Sequence, residues 1–170
     1  MSDVENIVWQ GKFITTKTLG KWEYVSRARG IKAAVIFAVD DGHVLLVEQY
    51  RVPLGCNCLE LPAGLIGDET AGEAVETAAA RELEEETGYR AARIEVIGEF
   101  YSSPGMVSES FTMVKAHGLT KVGAGGGVDD ENIIVHRVAL SNTGAFVARK
   151  RAEGCGIDAK LLMLLSVQSI

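Results

Sequence analysis

Residues 81–88 read Arg-Glu-Leu-Glu-Glu-Glu-Thr-Gly and close a stretch, 72–86, whose Ala, Glu, Leu and Arg content predicts a helix ending at Thr87-Gly88. No other segment restricts the fold as strongly. At about 100° per helical residue, Glu85 and Glu86 lie about 60° and 40° to either side of Glu82, so three carboxylates share one arc. That arc overlaps the apolar stripe of Val75, Ala78, Ala79 and Leu83, with Glu82 in its middle. Glu84 points about 160° away from Glu82 and is expected in solvent. Acids in the last turn also oppose the helix macrodipole, at roughly 0.3–1 kcal/mol each. An inward-facing set of unpaired carboxylates is costly, so this helix must pack where a compensating positive charge is available. Hard oxygen ligands of this kind favour Mg²⁺ or Mn²⁺ over zinc, and Mg²⁺ commonly bridges carboxylates to phosphates.

The rest of the chain must supply a core against which that helix packs. Within 170 residues, 47% apolar, one domain can bury a sizeable core. Ala33–Val39 and Val44–Val47 flank the turn Asp40-Asp41-Gly42-His43 and predict a hairpin whose near-continuous apolar strands are covered on both faces. An earlier hairpin is expected over 13–27, turning at Leu19-Gly20-Lys21. Strand patterns recur at Ile94–Tyr101, Phe111–Ala116 and Ile133–Leu140, and helical segments at about 141–152 and 157–167. Gly123–Gly127 lies between two strand patterns and reads as a mobile surface loop, since no helix start follows it to make a phosphate cradle. The sum is an α/β (α+β) fold, a mixed sheet with helices on its faces.

Charge and cysteine content exclude several classes. The net charge is −6 and no basic run exists, so nucleic acid is not an expected partner. No apolar stretch approaches the length of a membrane span, and the acidic start Met1-Ser2-Asp3-Val4-Glu5 has no signal-peptide pattern. Cys56, Cys58 and Cys155 lack a redox or zinc spacing and read as reduced thiols, which together with the rest predicts a cytoplasmic protein.

Gly67, five residues, Glu73, seven residues, then Arg81-Glu82-Leu83-Glu84-Glu85-Glu86-Thr87-Gly88-Tyr89 match every fixed position of the box of the Nudix hydrolase family. Glu60-Leu61-Pro62-Ala63-Gly64-Leu65-Ile66, Arg51, Ser103-Pro104-Gly105 and Gly156-Ile157-Asp158-Ala159-Lys160 resemble its ADP-ribose pyrophosphatase branch, so the likeness runs over about residues 10–168. The resemblance implies a Nudix-type α/β/α sandwich with a mixed central sheet and an N-terminal β-hairpin appendage. Residues 1–29 would form the N-terminal β element at a dimer interface, and 30–170 the hydrolase domain. It further implies a homodimer with an exchanged N-terminal element, and Mg²⁺ (with Mn²⁺ as a substitute) as cofactor. The implied activity is cleavage of ADP-ribose to AMP and ribose 5-phosphate. The alternative substrate is GDP-mannose or another nucleoside diphosphate compound. A nucleotide-sensing module without catalysis is disfavoured because all box glutamates are present.

The resemblance also assigns roles. Glu82 and Glu86 would be metal ligands, Glu85 a ligand of a second ion, and a backbone carbonyl a further ligand. The loop into the helix is three residues longer than usual in this branch, with Gly64 nine residues before Glu73 and Gly67 at the box spacing. That leaves Ala63 or Ile66 as the carbonyl donor, with Ala63 favoured by the intact Leu-Pro-Ala-Gly context. Arg81 would orient a box carboxylate, Glu109 on a loop would act as general base or outer metal ligand, and Arg51 would bind the diphosphate with its planar fork. Pro104 marks the substrate subfamily, and Trp22 is a candidate to stack the nucleobase. Gly64, Gly67, Glu73 and Gly88 would be structural members of the motif. Asp130 and Glu131 are similar to an acidic pair of this branch without an assigned role.

Overall fold

Strand residues 34, 36 and 38 point to one side and 33, 35, 37 and 39 to the other, and both sets are covered, which makes this strand the centre of a sheet between two layers. The computed structural model describes residues 4–28, 31–67, 72–128 and 131–162. In chain order these form β1 (Asn6–Gln10), β2 (Ile14–Leu19), β3 (Trp22–Arg27), β4 (Lys32–Asp40), β5 (His43–Arg51), β6 (Cys56–Glu60) and β7 (Ala63–Ile66). There follow α1 (Val75–Thr87), β8 (Tyr89–Arg90), β9 (Arg93–Tyr101), β10 (Ser110–His117), β11 (Thr120–Lys121), β12 (Ile134–Ala139), α2 (Thr143–Ala152) and β13 (Gly156–Ile157).

The central sheet runs β13-β6-β5-β4-β10-β9, with β12 added to β5 and β7 to β4. It is mixed: β10 is parallel to β4 and β13 to β6, while β9, β5, β6, β7 and β12 pair antiparallel. On one face Ala34, Ile36, Ala38 and Leu45 pack against Ala78, Ala79 and Leu83 of α1. On the other, Val35, Val44, Leu46 and Leu59 pack against Phe146 and Val147 of α2. The expected α/β/α sandwich is present. The expected hairpin over 13–27 is present as β2 and β3, and β1 extends it to a three-stranded sheet, because 6–10 adds antiparallel to 15–18.

Three expectations shift. The helix expected from 72 begins at Val75, because Gly72 has φ +81 and Ala74 is an extended cap. The segment expected to be helical from 157 starts as β13, then Asp158 accepts the Lys160 amide at 2.8 Å to begin a 3₁₀ turn, Ala159–Leu161; 163–167 lie outside the described residues. The third concerns the glycine stretch 123–127, which is a packed part of the helix end described next. The cysteines are free thiols.

Candidate active site

A helix end crowded with acids must still satisfy its last four carbonyls, and in α1 all four are met. Gly88, in the left-handed conformation (φ 72), donates its amide to Glu84 O at 2.9 Å. The amides of Gly127 and Gly126 reach Glu85 O and Glu86 O at 3.1 and 2.9 Å, and Lys121 Nζ reaches Thr87 O at 2.8 Å. The glycine stretch is therefore no loose loop. A Cβ at Gly125 would stand 2.4 Å from the Thr87 carbonyl carbon, closer than any side chain tolerates, so only glycine lets the chain approach.

This anchored helix presents Glu82, Glu85 and Glu86 to one cavity of about 480 Å³, whose floor is β4 and β7 and whose rim holds the end of the 102–109 loop. The three carboxylates expected on one arc do share one wall. Glu86 is buried and accepts the Ala63 amide at 3.0 Å. Burial pushes its carboxyl up to about 8; the Ala63 N–H and Arg51 oppose that rise, and the charges of Glu82 and Glu131 add to it. Glu82 lies against Gly64 so closely that a Cβ there would be 2.0 Å from its Cδ. Gly64 is thus a glycine that the acid cluster requires, and Gly67 follows β7 with φ +81. Ala63 belongs to the cavity wall, whereas Ile66 is buried in the core.

Arg81 holds the cluster together from one side, 3.1 Å from both Glu82 and Glu85 and 3.7 Å from Glu73. Glu73 stays just outside the helix, where its side chain is nearly buried beside that guanidinium. Arg51, at the end of β5, forms a two-bonded fork with Glu60 of β6 at 2.6 and 2.9 Å, which raises its already high proton affinity and fixes its plane toward the cavity. Glu109 is on the cavity rim, paired with Arg27. Pro104 and Trp22 are exposed, and neither belongs to the cavity wall of the single chain.

The wall also contains residues to which the sequence assigned no role: Arg27, Glu60, Lys160 and Glu131. Glu60 and Lys160 sit within the quoted resemblance segments, so a position signal existed for both. Arg27 carried none. Asp130 lies outside the described residues.

Among the described residues, six glutamates against four cationic side chains line the cavity. Among the described residues no three His, Cys, Asp or Glu side chains converge into a ready metal cage. The donor chemistry nonetheless fits a hard divalent cation. Such an ion is commonly held by one or two carboxylates plus ligand phosphates rather than by an all-protein cage, and Glu86 needs positive charge to ionise at neutral pH. The opposite side of the sheet holds a contrasting acid: Glu48 accepts from Lys150 at 2.8 Å, His136 at 2.9 Å and Asn57 at 3.1 Å.

Residues 28–153 match the NUDIX domain family. The chain is 38% identical over 110 residues to an ADP-ribose pyrophosphatase of Bacillus subtilis, an alignment covering 64% of this chain and 58% of the relative. It is 34% identical over 138 residues to a GDP-mannose pyrophosphatase of Yersinia enterocolitica, covering 76% of this chain and 68% of the relative. The chain spans under two thirds of the length of most curated relatives it matches. The crystal structure of an ADP compounds hydrolase superposes with a TM-score of 0.72 over 96% of this chain and 90% of that one, at 22% identity, and so shares the fold. Among the described residues no helix is long and apolar enough to cross a membrane.

Proposed function

Because this chain belongs to the Nudix family, whose hydrolases generally use a divalent metal ion, we propose that it is a Mg²⁺-dependent pyrophosphatase cleaving ADP-ribose to AMP and ribose 5-phosphate. The observation that carries this reading is the buried Glu86 carboxyl, held up at about 8 in a cavity that it shares with Glu82, Glu85, Arg81 and the fork-forming Arg51. Such a surplus of acid is unsuited to a diphosphate by itself and well suited to one that arrives with a cation.

Glu82, Glu86 and the Ala63 carbonyl would hold that ion and Glu85 a second one; Mn²⁺ would serve as a substitute. When bound, it neutralises the acids, polarises the phosphoryl group and lowers the pKa of water. The chain's own residues do the rest. Arg51, its plane set by Glu60, binds the diphosphate. Arg81 holds Glu82 and Glu85 in position. Glu109 takes the proton of the water that attacks phosphorus, and the phosphoanhydride P–O bond breaks to release two phosphomonoesters.

The exposed apolar side chains Ile7, Val8, Trp9, Phe13 and Trp22 of the N-terminal sheet support a homodimer in which residues 1–29 cover the partner and Trp22 stacks on the base in the partner's cavity. Pro104, on the exposed loop, lines the substrate once that cavity is completed. The free thiols and the acidic surface support a cytoplasmic location. GDP-mannose is the second substrate reading, favoured by the Yersinia relative.

The test is a substrate panel with Mg²⁺, with phosphate released by a coupled phosphatase. Turnover of ADP-ribose well above GDP-mannose is expected. The reverse ranking replaces the substrate, and no turnover of any nucleoside diphosphate compound by folded protein overturns the reading.

A further inference from the structure

The last turn of α1 carries Glu84, Glu85 and Glu86 and no base of its own, so acids accumulate at the negative end of the helix dipole. The cation that meets this end is Lys121, 34 residues beyond Thr87 in the chain. An ammonium group has three donors. That of Lys121 bonds Thr87 O at 2.8 Å and Ala124 O at 3.4 Å, and it lies 4.6 Å from the centre of the Tyr89 ring. Lys121 therefore holds the helix end and the glycine stretch together, although it is not part of the cavity wall.

The glycine stretch is joined to the site on both sides. Gly126 donates its N–H to Glu86 O at 2.9 Å and accepts the Ile133 N–H, just ahead of β12, at 3.0 Å. Gly127 donates to Glu85 O at 3.1 Å, and Val128 N–H to the Glu131 carboxylate at 2.9 Å. Gly125, Gly126 and Gly127 have φ of +71, +116 and +81, and a glycine run imposes no shape of its own. Its shape comes from its bonds. The one from Lys121 to Thr87 O is charge-assisted, whereas those to Glu85 O and Glu86 O are neutral.

We propose that Lys121 is a positioning residue for the acid cluster: by clasping the glycine stretch to the end of α1, it fixes the turn from which Glu85 and Glu86 reach a divalent cation. This rests on the metal-dependent reading above and adds to it a residue that lies outside the cavity.

The test separates position from charge, because the two predict opposite signs. Loss of a positive charge near the acids draws a cation in more tightly, whereas release of the clasp lets the acids splay and weakens binding. Mn²⁺ alone is titrated into the full chain, and the free ion is read by electron paramagnetic resonance. Lys121→Met should bind Mn²⁺ about three- to tenfold more weakly. Lys121→Arg, which can keep the bond to Thr87 O, should stay within about twofold of wild type. Arg90→Gln removes a charge from the same helix end by freeing Glu84, and should bind no more weakly than wild type. Glu48→Gln loosens the opposite face of the sheet and should leave the affinity unchanged. Hydrogen exchange in chelator gives a second readout. In Lys121→Met the Gly126 and Gly127 amides should exchange about tenfold faster, with the buried Ile36 and Val114 amides unaltered. Equal or tighter Mn²⁺ binding by Lys121→Met overturns the positioning role. So does weaker binding shared with Arg90→Gln or Glu48→Gln, or unaltered exchange at Gly126 and Gly127. Lys121→Gln, too short to reach Thr87 O, replaces the methionine variant under the same criteria if that one does not fold. Hydrolysis is measured separately. A wild type that binds Mn²⁺ yet cleaves no nucleoside diphosphate compound overturns the pyrophosphatase reading, while the titrations still judge Lys121; one that takes up no Mn²⁺ overturns both.

Discussion

Glu48 and Glu86 are the same residue type with nearly the same solvent exposure, 6% and 5%, although Glu86 lies deeper, and their proton affinities move in opposite directions. Burial raises both. At Glu48 the bonds from Lys150, Asn57 and His136 outweigh burial and bring the carboxyl down to about 2. At Glu86 one amide and a neighbouring arginine do not, and two further acids add to the rise, to about 8. Low exposure alone therefore says little about an acid; its depth and its company together decide. The fold neutralises Glu48 itself, so that residue belongs to the frame linking β5, β6, β12 and α2. Glu86 is left to be neutralised by something that binds, which is the property expected of a site.

The widest break in that comparison comes from the acid cluster. Glu82→Gln should lower kcat on the Mg²⁺ substrate by about 10²–10³-fold while the unfolding midpoint holds or rises, since a like charge near Glu86 is removed. A coupled phosphate assay and thermal unfolding check both halves, and a fully active variant removes Glu82 from the site.

On the other face, Glu48→Gln should cost about 1–3 kcal/mol in denaturant unfolding, with the kcat of the folded protein unchanged. The folded pKa of Glu48 lies below its unfolded value. Its contribution is therefore complete above pH 4.5 and is lost as pH falls toward 2, a loss that the variant should not show.

For Glu86 the sign is reversed. Its folded pKa lies above its unfolded value, so in chelator the native state retains a proton that the unfolded state has released, and stability declines as pH rises from 4.5 to 8. Glu86→Gln should flatten that decline, and Mg²⁺ should offset it in wild type only; denaturant midpoints at pH 5 and pH 8 with and without the ion give the answer. The smallest effect belongs to Glu84, paired with Arg90 on the surface. Glu84→Gln should leave turnover and the unfolding midpoint unaltered, and a loss of activity there would blur the line between site and surface.

Much of this was legible in the chain itself. Helical spacing placed Glu82, Glu85 and Glu86 together and Glu84 apart, because 3.6-residue periodicity is a local property. The 33–47 hairpin was readable for the same reason. Pairings that join distant segments were not. Nothing near Arg27 announces Glu109, which lies on the far side of the central strands in sequence, and Glu60 meets Arg51 only because β5 and β6 fold back on each other. The glycine stretch was misread because glycine signals both freedom and close approach, and only the contact with Glu86 and Thr87 separates the two. Glu48 drew no attention at all, since its three partners come from β6, β12 and α2.

That contact carries a practical warning for anyone redesigning the protein. A run of four glycines in five residues invites stiffening with alanine or proline. At position 125 an added methyl group would press on the chain at Thr87, and proline at 126 or 127 would delete an amide that holds the carbonyl of Glu86 or Glu85. Rigidity bought there would be withdrawn from the very turn that aims the acids.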